Sequence, residues 1–151
     1  MSEAKKERVT SDLLVFVVGR SGSGKDTIMR NVANILLFEN IPVNILQRNI
    51  TRPPDKTEES LYVSEEEFLL KKSQKEYVLT WFVYNNWYGC PRIPLEESLH
   101  RGEIVLVNIS RRILQEAREK YPQSKIVLIV VKDEIAEKRL KERGRENSNR
   151  L

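Results

Sequence analysis

Nine consecutive residues, Gly19-Arg20-Ser21-Gly22-Ser23-Gly24-Lys25-Asp26-Thr27, have the composition to hold an anion rather than to fill a core. Glycines let a backbone curl until its N–H groups converge, and a helix N-terminus adds partial positive charge at the same point. Lys25 is then placed to bridge the outer phosphates of a nucleotide as a point charge. One position departs from the usual phosphate-loop pattern, because Asp26 stands where Ser or Thr supplies a hydroxyl to magnesium. Either Thr27 takes that role one place later, or the Asp26 carboxylate ligates the ion itself, since Mg2+ prefers hard oxygens.

The flanking residues supply the context that such a loop needs. Leu13-Leu14-Val15-Phe16-Val17-Val18 is an apolar run of strand length, and Ile28, Val32, Ile35 and Leu36 follow the loop at helical spacing. Strand, glycine-rich turn and helix together predict a site for a nucleoside triphosphate.

Composition narrows the chemistry further. The 151 residues suit one domain with a core of its own. A formal charge of +4 fits anionic substrates, although a solvated basic surface would carry the same charge. Cys90 and His100 are the only cysteine and histidine. A disulfide framework, a cysteine-built metal site and a histidine-based triad are therefore not expected, and His100 reads as a surface or capping residue. No apolar run approaches membrane-spanning length, and Met1–Arg8 is a charged tail rather than a signal peptide, so a soluble, cytoplasmic protein is expected.

Taken in order, residues 1 to about 11 read as a flexible polar tail. The first strand ends at Val18, and the helix after the loop runs to about Asn40. Val43–Leu46 reads as a short strand, and the polar stretch 51–60 is barred from helix by Pro53 and Pro54. Ser64-Glu65-Glu66-Glu67 is a capping box, with Ser64 as N-cap. The aromatic-dense segment Tyr77–Gly89 reads as strands around a bend at Asn85-Asn86. Pro94 opens a helix through His100, which Arg101-Gly102 ends. Glu103–Ile109 and Lys125–Val131 are nearly continuous apolar runs, as expected of parallel strands buried on both faces. Helices are expected at about 111–120 and 133–143. Alternating strands and helices give an α/β fold with a mostly parallel sheet, whose carboxyl ends gather the loop, Asn108 and the segment after Val131 around one crevice.

Four further stretches carry a family resemblance. Ile50-Thr51-Arg52, Glu58 with Tyr62–Phe68, Trp81 with Trp87-Tyr88-Gly89, and Arg143-Gly144-Arg145-Glu146-Asn147 stand in the order and spacing of the guanylate-kinase-like P-loop kinases. Within that family, Gly24-Lys25-Asp26, Val107-Asn108-Ile109-Ser110-Arg111 and the Arg143–Asn147 run resemble the ribose 1,5-bisphosphate phosphokinases. Guanylate kinases usually carry an acid where Asn108 stands and a second arginine shortly after the one matching Arg52. Here that region reads Pro53-Pro54-Asp55. A guanine base offers N–H donors and profits from carboxylates, whereas a bisphosphorylated sugar needs cations and neutral polar groups. Thr80 and Asn108, both neutral, are read as favouring the sugar.

The resemblance implies a three-layer P-loop kinase fold with an acceptor-binding insertion at about 50–90 and a lid at about 139–151. It implies ATP and Mg2+ as cofactors and phosphoryl transfer to ribose 1,5-bisphosphate, giving 5-phosphoribosyl 1-diphosphate and ADP. Phosphonate breakdown and nucleotide salvage are both compatible pathways. Gly19 to Thr27 and Arg139 would bind ATP, with Asp26 or Thr27 at the metal. Arg52, Glu58, Tyr62, Tyr88 and Asn108 would bind the acceptor, while Lys25, Arg143 and Arg145 carry catalysis. Trp81 reads as core first and ligand platform second. The alternative is a guanylate or other nucleoside monophosphate kinase. A binding-only relative is disfavoured by the presence of Lys25, and a nucleic-acid partner has only the net charge in its favour. In this family the chain continues past the lid through another helix and strand, so a sequence stopping at Leu151 reads as a fragment or an unusually short member.

Overall fold

A computed structural model of the protein describes residues 11–20, 23–56, 58, 60–130 and 142. Its centre is a four-stranded, all-parallel sheet built from β1 (Leu14–Val18), β2 (Val43–Ile45), β7 (Ile104–Asn108) and β8 (Lys125–Leu128), in the order β2-β7-β1-β8. Strand alternation sends the two sets of apolar side chains to opposite faces. Val17 and Leu106 meet Met29 and Ala33 of α1 (Lys25–Phe38) on one face. On the other face Leu14, Phe16, Val18, Val105 and Val107 join a core with Leu95 and Leu99 of α3 (Arg92–His100) and Ala117 of α4 (Leu114–Lys120). Helices on both faces explain why these strands read as continuous apolar runs. The architecture is a three-layer α/β/α arrangement, as expected from the sequence.

The expected insertion proves to be a second sheet. Strands β3 (Arg48–Ile50), β4 (Ser60–Tyr62), β5 (Tyr77–Val83) and β6 (Asn86–Pro91) run in the order β4-β3-β6-β5. Strand β3 lies parallel to β4 and antiparallel to β6, with Asn49 opposite Gly89 and Ile50 opposite Tyr88. Neither β3 nor β4 was expected, because three residues such as Arg48-Asn49-Ile50 show no pattern of their own and become a strand only by pairing with β6.

Local chemistry explains the element ends. Helix α1 stops at Phe38, two residues short of expectation. Asn40 takes φ 63° while Asn40 N–H and Ile41 N–H reach back to the carbonyls of Leu37 and Leu36, the pattern of a helix closed by a left-handed residue. Helix α2 (Glu65–Ser73) starts as expected, with Glu67 N–H donating to Ser64 Oγ at 3.0 Å. The bend between β5 and β6 falls at Tyr84-Asn85, one residue earlier than expected. Both have positive φ, as a tight two-residue hairpin turn demands, and Asn86 Nδ2 donates to Tyr84 O. Helix α3 begins at Arg92, so Pro94 lies in the first turn, where its missing N–H breaks no helical bond. A single 3-10 turn, Arg111–Ile113, precedes α4, and β8 ends at Leu128 rather than Val131. Ser11, read as tail, opens a 3-10 turn and is buried. The rest of the expected tail, and the helix at 133–143 apart from Glu142, lie outside the described residues.

Behind the second sheet, Phe68 of α2 stacks on Tyr77 with ring centroids 4.6 Å apart and on Trp87 at 5.5 Å. Gly89 lies against this stack, where an added Cβ would stand 2.9 Å from both Phe68 Cε2 and the Tyr77 ring. Gly89→Ala is expected to destabilise the fold by about 1–3 kcal/mol through overpacking, read as a lower urea midpoint at unchanged slope.

Candidate active site

The loop after β1 is fixed by its neighbours. Ile129 N–H bonds Val18 O at 2.8 Å, and an added Cβ on Gly19 would lie 2.9 Å from the Ile129 carbonyl. Gly19 is therefore small because the backbone beyond β8 passes against it. Ser23 N–H returns to Arg20 O, and Gly24, with φ 85°, turns the chain into α1. Ser21 and Gly22 lie outside the described residues. The Ser23 hydroxyl is buried and lacks a hydrogen-bond partner among the described residues. An orphaned buried donor costs about 1–3 kcal/mol, which a bound phosphate oxygen would recover.

Lys25 and Asp26 occupy the first turn of α1, and Thr27 follows, exposed. Burial lowers the Lys25 ammonium to about 8, and the charges of Arg48 and Arg111 push the same way. Burial also raises the Asp26 carboxyl, with Glu58 reinforcing it. Asn108, at the carboxyl end of β7, donates from Nδ2 to Asp26 Oδ1 at 3.2 Å. Two residues expected around one crevice, one from the loop and one from a strand 82 residues away, thus meet directly.

Across from the loop stands the second sheet's contribution, centred on Glu58. Its carboxylate accepts from Arg52 Nη1 and Nη2 at 2.9 Å each, from Arg48 Nη2 at 2.7 Å and from Asp55 N–H at 2.9 Å. Burial raises its pKa, but the hydrogen bonds and charges of the two arginines prevail and hold it below its ordinary value. Arg52 Nε donates to the Tyr88 hydroxyl at 3.1 Å, which leaves the Tyr88 O–H free to donate in turn. Tyr88 stacks on Trp81 with centroids 5.4 Å apart and planes 2° from parallel. Trp81 is thus buried core and site wall at once. Tyr62 stands exposed on edge strand β4, on the same face as Ser60.

Arg48 went unnoticed in the sequence. It is 5% exposed, and its guanidinium lies 5.5 Å from the Tyr88 ring and 6.0 Å from the Trp81 ring. It bonds Glu58, Ser60 Oγ and, from Nη1 at 3.3 Å, the main-chain carbonyl of Asn108. The period-two spacing Arg48-x-Ile50-x-Arg52, which puts both arginines on one face of an extended chain, was the available signal.

Thr80 and Asn108, read together in the sequence, stand apart in the fold. Thr80 pairs with Gly89 on the α2 side of the sheet, whereas Trp81 and Tyr88 face the site. Alternation puts Thr80 on the face opposite Trp81 and Tyr88. Arg139, Arg143 and Arg145 lie outside the described residues.

Chemically, two guanidiniums against one carboxylate leave a surplus positive charge beside an anion-binding loop. Among the described residues there is no cluster of three metal-ligating side chains. Mg2+ needs none, since it is commonly held by one or two carboxylates plus phosphates and waters. Asp26 fits that description, with one oxygen steadied by Asn108. No helix among the described residues is long and apolar enough to cross a membrane.

Comparison with known proteins follows this geometry. The family model "Guanylate kinase" matches residues 11–151. Ribose 1,5-bisphosphate phosphokinase PhnN of Rhodopseudomonas palustris is 33% identical over 132 residues, covering 87% of this chain and 67% of its own. The protein of that name from Desulfomicrobium baculatum is 37% identical, covering 91% of this chain and 73% of its own. Among solved structures, guanylate kinase from Anaplasma phagocytophilum is 22% identical with a TM-score of 0.47, covering 95% of this chain and 89% of that one.

Proposed function

The chain belongs to the guanylate kinase family and is a PhnN-like phosphotransferase, and from that premise we propose that it phosphorylates ribose 1,5-bisphosphate with ATP. The products are 5-phosphoribosyl 1-diphosphate and ADP, formed in the cytoplasm. The observation that carries this acceptor is the state of Glu58. All four of its hydrogen-bonding directions are taken, three by arginine N–H groups and one by Asp55 N–H. A carboxylate so occupied has nothing left to accept from a guanine N–H. The flat Trp81–Tyr88 pair is overlaid by the Arg48 guanidinium rather than left open to a base. Surplus cation, the free Tyr88 O–H and the neutral Asn108 side chain suit a phosphorylated sugar instead.

The reaction asks the protein for placement and charge cancellation. Loop amides and Lys25 hold the donor phosphates, and Asp26 would hold Mg2+, which supplies further neutralisation of the phosphate oxygens. Arg52 and Tyr88 orient the acceptor phosphate. One of its oxygens forms a bond to the γ-phosphorus as the bond to the β–γ bridging oxygen breaks, and ADP leaves with that electron pair. No general base is needed, because the attacking phosphate is already ionised. Arg143 and Arg145 would close over the transferring group and Arg139 over ATP, which gives the 139–151 segment its role as lid.

The test is ADP release from ATP and Mg2+, with ribose 1,5-bisphosphate and GMP offered separately. Turnover is expected with the sugar bisphosphate and not with GMP. Turnover with GMP alone would overturn this acceptor in favour of a guanylate kinase.

A further inference from the structure

We propose that Arg48 is a positioning residue that ties the acceptor sheet to the donor loop and so holds the two halves of the site in one register. The inference deepens the proposed function and rests on its nucleotide-binding half. The chain passes from the central sheet to the second sheet between Ile45 and Arg48, and Arg48 bonds back across that passage. On one side, Nη2 reaches Glu58 Oε2 at 2.7 Å and Ser60 Oγ at 3.2 Å. On the other, Nη1 reaches the Asn108 carbonyl at 3.3 Å. The side chain of that same Asn108 continues to Asp26 Oδ1 at 3.2 Å. From Glu58 through Arg48 and Asn108 to Asp26, one unbroken series of hydrogen bonds joins the acceptor's carboxylate to the donor loop's.

The chemistry of the guanidinium makes this a task for arginine. Its donors lie in one plane at fixed directions, so two of them can serve partners on opposite sides at once. The Trp81 and Tyr88 rings, 6.0 and 5.5 Å away, confine that plane. A lysine ammonium gathers its three donors on one nitrogen and lacks the spread of the planar fork, so it cannot hold both sides in this geometry. Arg52, by contrast, bonds Glu58, Tyr88 and Pro53 O, all within the second sheet and its loop. Loss of Arg48 should therefore disturb the nucleotide loop from the acceptor side, and loss of Arg52 should not.

Two measurements on the full chain test this. Calorimetric titration with a non-hydrolysable ATP analogue and Mg2+, without acceptor, is expected to show affinity about tenfold weaker for Arg48→Lys, the usual scale for residues that orient a ligating group. Arg52→Lys is expected to match the wild type. In ligand-free protein, the Asn108 side-chain amide signal, assigned with Asn108→Asp, should move in Arg48→Lys and stay in place in Arg52→Lys. Wild-type affinity in Arg48→Lys, or an unmoved Asn108 signal, would overturn the proposal. If Arg48→Lys does not fold, Arg48→Met with Glu58→Leu removes the buried pair together and puts the same two questions. A wild type that bound no nucleotide would sink the proposed function, while the Asn108 signal would still decide the role of Arg48.

Discussion

Lys25→Met is expected to lower turnover by on the order of 10³-fold while the protein stays folded, the scale for removing a preorganised charge from a transferring group. Lys25 is the cation at the start of α1, and it is buried among the charges of Arg48, Asp26, Arg111 and Glu58. Stability should not suffer. Burial brings the ammonium from 10.5 in the free side chain to about 8 in the fold. The folded state therefore disfavours the proton, and this penalty is fully present below about pH 8 and relieved as pH rises toward 10.5. Methionine removes the penalty, so the variant should melt no lower than the wild type at pH 7. The same pKa gives a signature in binding. ATP prefers the charged lysine, so wild-type affinity should fall as pH climbs through about 8, and Lys25→Met should show no such inflection. Near-normal turnover in Lys25→Met would remove the loop from the mechanism.

Glu58→Ala carries the largest expected effect on stability. It leaves the buried Arg48 guanidinium without its carboxylate, and breaking such a pair costs about 3–5 kcal/mol. Arg52 loses both carboxylate contacts in the same step. Urea unfolding reads the loss directly. The double variant Glu58→Leu with Arg48→Met should recover part of it, because the more deeply buried guanidinium leaves together with its carboxylate while Arg52 stays unpaired. The pH dependence has a definite sign. Glu58 titrates below its ordinary 4.5 in the fold, so its contribution is present above about that pH and is lost as acid protonates it. Wild-type stability should thus decline in acid more steeply than that of Glu58→Ala. Equal slopes would mean that the Arg48–Glu58–Arg52 cluster is screened by water and does not hold the second sheet.

Much of the donor half was legible because its signals are local. Gly19, Gly24, Lys25 and Asp26 announce themselves within one turn of chain, and the apolar runs on either side place them between a strand and a helix. Asn108 could be assigned to the same crevice because parallel sheets bring strand carboxyl ends together. The acceptor half was legible only in part. Arg52, Glu58 and Tyr88 were found through family resemblance, and the structure brings all three into contact. Arg48 escaped because its contacts come from pairing β3 with β4 and β6, strands 12 and 38 to 40 residues further on by register, which no local pattern encodes. The face that Thr80 takes was hidden for the same reason, since it is settled by the partner across the ladder, here Gly89.

By itself, then, the amino-acid sequence pointed to the glycine-rich loop between strand and helix and to the buried parallel sheet, because glycine placement and continuous apolar runs act over a few residues, while the kind of reaction was read from the family resemblance. Tertiary structure alone decided how the charged cluster of the second sheet is wired. It placed one carboxylate between two arginines, laid one of those arginines on stacked rings and joined it through Asn108 to Asp26. The physical reason is that charge pairing depends on distance in space, and separations of up to 82 residues along the chain collapse to about 3 Å only once both sheets have formed.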